Sequence, residues 1–330
     1  MTQRSDVFKN IMAGVMLLVT GVATLAVLAM RVWFTPAVRD WETGMFSANY
    51  WVIGLMLVCL VALVVMGRMC GPDRREITGR SALGLGVVLL LTGIGLAVSE
   101  LLSLLDVLPG LLDTVRFLSV LPSETSLFTP ALQTVQCVVG VVGGGMLVLL
   151  SMRVFSEGAT RRGIAQWSAL LPVVWMWLRL INYEMSYASM VRLEDSFFGF
   201  VMMLMEMWFL FKLARYVAGV GNVSMGSLLG CSLSTALFAL TAPVVRLCMY
   251  LLQDHAAYEA SLATVADFVI GVLAAGVALT LALSYNEEPE SSSEEADSTE
   301  ALPASDAFIV ADLIDVSPDE EGVSDDTSAE

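Results

Sequence analysis

The chain has 330 residues, is 57% hydrophobic and 15% charged, carries a net charge of −16 and has a mean hydropathy of +0.76. Soluble globular domains are nearer half apolar and a quarter charged, so this composition excludes an ordinary soluble globule. No basic surface is present to attract nucleic acid.

The charge is unevenly divided. The stretch 287–330 holds 16 acidic residues and no Lys or Arg, which leaves 17 basic and 17 acidic residues in the rest of the chain. The net charge therefore belongs to the tail, and the body is neutral. In that body the apolar residues gather in runs of about 20, the length that crosses a bilayer core. They predict an all-α fold, a polytopic membrane helix bundle over 1–285 followed by a disordered acidic C-terminal tail over 286–330. Eight transmembrane helices are expected, at about 11–31, 50–68, 82–102, 131–152, 165–185, 197–216, 225–250 and 260–284.

The first run follows Arg4 and Lys9, as the core of a signal peptide would. It is longer than a typical signal core and has no convincing small-residue cleavage site, so an uncleaved helix is expected. Eight spans put both termini on one side of the membrane. The loops and helix ends of that side hold 11 basic residues (Arg4, Lys9, Arg68, Arg74, Arg75, Arg80, Arg153, Arg161, Arg162, Lys212, Arg215), against 4 opposite (Arg31, Arg39, Arg116, Arg192). Basic residues mark the cytoplasmic side, which predicts a multi-pass protein of the cytoplasmic membrane with both termini inside. Trp33, Trp41, Tyr50, Trp51 and Tyr258 fall near outer helix ends, where interfacial aromatics sit.

After the third span, leucines recur at helical spacing through Leu101, Leu104, Leu105, Leu108, Leu111 and Leu112, against Asp106, Asp113 and Arg116. Two structures fit this pattern: a helix lying on the outer membrane surface, broken near Pro109-Gly110, or an extension of the third helix that packs on its neighbours. Two GxxxG pairs, Gly140 with Gly144 and Gly226 with Gly230, are expected to let helices of the same bundle pack closely.

The fifth to eighth spans carry charge where lipid tolerates little. Arg179, Glu206, Arg246 and Asp267 each lie inside an apolar run, where an ionisable group costs about 2.5–3.5 kcal/mol on insertion scales. Such groups face the bundle interior and find partners. With the predicted orientation they all fall toward the outer half, with Glu100, Gln133 and Gln136 at similar depth. Trp175, Arg179, Asn182 and Ser186 share one face of the fifth helix. Ser232, Thr235, Ala239, Ala242 and Arg246 form a small, partly polar stripe on the seventh, and Thr264, Asp267, Gly271 and Ala274 one on the eighth. Glu206 lies among Gly199, Met202, Met203, Phe209 and Leu210, so Arg179 on the preceding helix is its expected partner. Arg246 and Asp267 form the second expected pair. Pro172 and Pro243 are expected to bend the fifth and seventh helices.

Two functions follow. In one, Arg179, Glu206, Arg246, Asp267, Asn182 and Glu100 line a pocket for a small anionic or polar ligand or an ion in a transporter-like or sensor protein, with Glu206 able to carry a proton. In the other, the charges are structural pairs and the protein is a membrane scaffold. Its acidic tail contains one apolar island at 307–316, where Phe308, Ile309, Leu313 and Ile314 would dock on a cytoplasmic protein.

No enzyme signature is present. GxSxG, HExxH, P-loop and CxxC zinc patterns do not occur, and the glycine-rich GIGLAVSE and GVVGGGM lie inside apolar helices, the wrong setting for a nucleotide loop. The single His255 cannot build a zinc site alone. Cys59, Cys70, Cys137, Cys231 and Cys248 are widely spaced, and most are expected to act as small apolar fillers. No catalytic residue, metal or cofactor is expected, and the partners expected are lipid, a small ligand and a cytoplasmic protein.

Overall fold

A computed structural model describes residues 2–34, 46–70, 79–117, 128–157, 169–187, 193–218, 223–252 and 262–285. Among these residues all regular structure is helical. The helices are α1 (Thr2–Phe34), α2 (Phe46–Met69), α3 (Gly79–Phe117), α4 (Phe128–Glu157), α5 (Leu171–Tyr187), α6 (Leu193–Val217), α7 (Met225–Leu252) and α8 (Leu262–Ser284). Each coincides with one of the expected spans. The acidic tail, with Phe308, Ile309, Leu313 and Ile314, lies outside the described residues.

Six of the eight helices, all but α5 and α6, are long and apolar enough to cross a membrane. Helix α5 has 17 residues, about 25 Å at 1.5 Å per residue, less than the roughly 30 Å of a hydrocarbon core. Helix α6 carries Glu206, Lys212 and Arg215 within one span length. The outer surface identifies the solvent. On α1 the exposed residues include Ile11, Val15, Leu18, Val22 and Leu25, at 69% exposure for the last. On α3 they include Leu83, Val87, Leu91, Ile94 and Val98. A soluble protein would turn polar residues outward along these stripes; here they are apolar, and the bundle is embedded in a membrane.

Helices α3, α4, α5, α6, α7 and α8 pack in that order into a closed ring, since α8 returns to α3. Helices α1 and α2 lie outside the ring against α7. Buried between them and the ring, α7 has 89% of its span enclosed, against 22% for α2. Hydroxyls inside the bundle mostly donate to the carbonyl one turn back. Thr20 donates to Met16, Ser234 to Gly230, Thr241 to Leu237 and Thr280 to Val277. Each is thereby satisfied without water.

Both GxxxG pairs act within the bundle. A Cβ on Gly144 would lie 2.6 Å from the Gly93 carbonyl oxygen and 2.7 Å from the Ala97 nitrogen, so α3 and α4 touch backbone to backbone. A Cβ on Gly230 would lie 2.6 Å from the Leu63 carbonyl oxygen, and Gly226 meets Gly67, so α2 and α7 do the same. Such contact needs residues without side chains.

Pro172 does not bend α5. The helix starts at Leu171, so Pro172 falls in the first turn, where its missing N–H breaks no helical bond. The amides of Val173 and Val174 both reach the Leu170 carbonyl instead, at 3.0 Å. Pro243 lies inside α7 and leaves the Ala239 carbonyl without its usual donor. Gly271 of α8 lies against that carbonyl, where a Cβ would come within 3.1 Å of its oxygen. Of the two structures open for the leucine-rich segment, the extension of α3 is observed, but without burial against its neighbours. Helix α3 continues through Pro109 without a break, and none of its residues from Leu101 to Arg116 is buried.

Gly144→Leu should destabilise the protein by at least the ~1–3 kcal/mol typical of overpacking. Gly145→Leu, at a position with nothing within 4 Å, should be tolerated. Thermal unfolding of both variants in detergent checks the pair.

Candidate functional site: a buried polar centre

The ring encloses a cluster of polar side chains to which all six of its helices contribute. Glu100 comes from α3, Cys137 from α4, Trp175, Arg179 and Asn182 from α5, Glu206 from α6, Thr235 from α7 and Asp267 from α8. All are buried. Glu206 and Thr235 are 0% exposed, Asp267 2%, and Glu100 and Arg179 4%.

Arg179 organises the cluster. Its Nη1 lies 2.5 Å from Oδ1 of Asp267, so α5 is tied across the ring to α8. This corrects the expected pairing of Arg179 with Glu206. Helices α5 and α6 are neighbours in sequence, but the Arg179 side chain is directed at α8, and its ion-pair partner there is Asp267 rather than Glu206. The expected pairing of Asp267 with Arg246 lies outside the described residues.

Glu206 is left in an unusual position. Both of its oxygens are buried, and neither has a hydrogen-bond partner among the described residues. Arg179 and Asp267 both lie within its electrostatic reach. Thr235 of α7 donates to the Met205 carbonyl at 3.1 Å, one residue from Glu206.

Glu100 occupies the opposite wall. Gly140 makes the space for it. A Cβ there would lie 2.5 Å from Glu100 Cγ and 2.7 Å from Trp175 Nε1. The Trp175 indole and the Cys137 thiol both lie beside the Glu100 carboxyl. Neither Trp175 Nε1 nor Glu100 Oε2 completes a hydrogen bond of good geometry. Trp175 also lies under Arg179, whose guanidinium carbon is 5.5 Å from the ring centroid. Asn182, one turn beyond Arg179, donates through Nδ2 to Oε1 of Gln136 on α4 at 2.7 Å.

Of the expected site residues, Arg179, Glu206, Asp267 and Glu100 meet, and Asn182 lies at the rim. Trp175 was placed on the right face, but its proximity to Glu100 was not foreseen. Cys137 was taken for apolar filler and instead touches Glu100. The available signal was its place in α4, three residues from Gly140 and so on the same face.

The side chains of the centre are buried. Two hollows elsewhere are lined by apolar side chains alone. One is a groove of 600 Å³ along α2, and the other a crevice of 10 Å³ between Leu147 and Val217. Neither includes Glu206, Arg179 or Asp267. Fully ionised, the three carboxylates and one guanidinium would carry a net charge of −2. A dry interior does not hold such an excess, so protons, a small cation or a basic side chain outside the described residues must balance it. Among the described residues no group of three or more His, Cys, Asp or Glu is arranged to hold a metal ion, and the five cysteines are free thiols.

Comparison of the chain with protein-family models, with curated proteins and with solved structures finds no match.

Arg179→Gln or Asp267→Asn alone should destabilise by about 3–5 kcal/mol, since each leaves a buried charge unpaired. The double variant should lose clearly less than the sum of the two. Unfolding midpoints of the three variants, taken as a double-mutant cycle, measure the coupling.

Proposed function

We propose that the chain is a transporter-like protein of the cytoplasmic membrane, working through a proton-binding site at Glu206. The observation that carries this reading is the Glu206 carboxyl, fully buried with both oxygens unpartnered, next to a guanidinium already bound to Asp267. Intramembrane acids in such settings serve as proton carriers in pumps and transporters. The charged groups facing it are Arg179 of α5 and Asp267 of α8, with Glu100 of α3 acting through Arg179. The balance of these charges favours a positive ligand, a proton, over the anionic group that two arginines alone would attract. The Lys and Arg distribution supports cytoplasmic termini, and with them a cytoplasmic tail.

One sequence feature favours a second reading, a scaffold. The apolar island of Phe308, Ile309, Leu313 and Ile314 stands inside an otherwise acidic, polar tail. A scaffold needs the tail and not the centre.

In liposomes loaded with a pH-sensitive dye, the full chain should conduct protons down an imposed gradient. Glu206→Gln should reduce the flux to that of protein-free liposomes, and deletion of 286–330 should leave it unchanged. Equal flux through the full chain and Glu206→Gln would sink the proposal. Absence of flux from the full chain, with Glu206 still protonated, would make the protein a sensor.

A further inference from the structure

A second concentration of charge lies about 9 Å further along α6 than Glu206, at 1.5 Å per residue. It is entirely basic. Arg68 ends α2, and Lys212 and Arg215 stand near the end of α6. Lys212 Nζ donates to Ser227 Oγ at 2.7 Å and to the Ser227 carbonyl at 3.4 Å, in the first turn of α7. It also lies 4.4 Å from the centroid of the Trp208 ring, while Arg215 lies 5.6 Å from that of Phe211. Cys231, Arg68 and Arg215 all lie within electrostatic reach of Lys212. Among the described residues, no carboxylate forms an ion pair with any of the three.

Helix dipoles explain part of this arrangement. Arg68 and Arg215 lie at helix C-termini, where a cation is favoured. Lys212 is different, because its ammonium is held at the start of α7, where the dipole is positive too. Three cations from two helices are therefore gathered without a counter-charge among the described residues.

Their depth is defined by the spans. The apolar stretch of α2 runs Trp51–Met69 and that of α7 begins at Met225, so the patch lies at the edge of the hydrocarbon. An apolar groove lies along the same helix as Arg68. The groove is lined by Leu57, Val58, Val61, Ala62, Val65 and Met66. Val58, Val61, Val65 and Arg68 follow a 3-4-3 spacing, so the guanidinium continues the same face. An apolar groove on the helix face that carries Arg68, with a cluster of cations at the bilayer boundary, matches a molecule with an apolar chain and an anionic head.

We propose that Arg68, Lys212 and Arg215 bind the phosphodiester headgroup of an anionic phospholipid, with one acyl chain in the α2 groove. The occupant is a lipid rather than free phosphate, because the groove needs a chain to fill it. The site is independent of the proton site at Glu206.

The test uses the full chain in detergent, titrated with phosphatidylglycerol or with phosphatidylcholine of the same chains. Bound lipid is counted by native mass spectrometry. Phosphatidylglycerol should bind in preference, and each cation removed should weaken it about fivefold, the equivalent of about 1 kcal/mol per basic residue at an anionic lipid surface. Arg68→Gln, at an exposed side chain outside the helix contacts, reads this loss without risk to the fold. Lys212→Arg should retain binding where Lys212→Gln loses it. Val61→Trp, which blocks the groove, should also weaken phosphatidylglycerol binding. Equal binding of the two lipids, or unchanged binding in Arg68→Gln, would overturn the proposal. So would full displacement of phosphatidylglycerol by inorganic phosphate with no effect of Val61→Trp, which would identify a free-phosphate site.

Discussion

The ion pair between Arg179 and Asp267 is the constraint on which the ring depends. It joins α5 and α8 across the ring interior, where a charge cannot be left alone. Once Arg179 is fixed there, Trp175 is pinned beneath it and Glu100 is confined between Trp175 and Gly140. A buried pair of this kind is weak evidence of net stability, since apolar residues of the same shape often do as well. What it provides is a register. Sliding α5 by one turn would separate Arg179 from Asp267 and Asn182 from Gln136. The apolar contacts of the ring, which are less directional, would resist such a slip far less.

The close backbone contacts make the centre possible. Helix α3 meets α4 through Gly93 and Gly144, and α2 meets α7 through Gly67, Gly226 and Gly230. In lipid no hydrophobic force drives helices together, so packing and internal polar bonds must hold them. The same glycine logic acts inside the ring, where Gly140 leaves room for a carboxyl and Gly271 lies against the carbonyl that Pro243 leaves free. The excess of acid in the centre is local, three carboxyls against one guanidinium in a body that is neutral as a whole.

The helices were legible because a bilayer imposes a simple rule, about 20 apolar residues per crossing. Each expected run is a helix. The buried charges could also be picked out, since every one of them interrupts such a run. Their pairing could not. Arg179 and Glu206 are on successive helices, which favoured a match between them, but the partner of a long side chain depends on helix rotation and depth rather than sequence order. Helices α5 and α8 are far apart in the chain, and nothing in either sequence names the other. Pro172 misled for a local reason. Its effect depends on where the helix starts, and boundaries are weakly encoded. The continuation of α3 through Pro109 was open in the sequence because one proline costs a helix a bond without always ending it.

The central claim is that Glu206 binds a proton among the buried groups of the ring. Infrared difference spectroscopy of the full chain in lipid, across a pH titration, tests it most directly through the carbonyl stretch of a protonated carboxylic acid. The account predicts such a band at neutral pH, lost in Glu206→Gln and retained in Asp267→Asn. If no such band appears at neutral pH, or if it persists in Glu206→Gln and vanishes in Asp267→Asn, the assignment of the proton to Glu206 is contradicted.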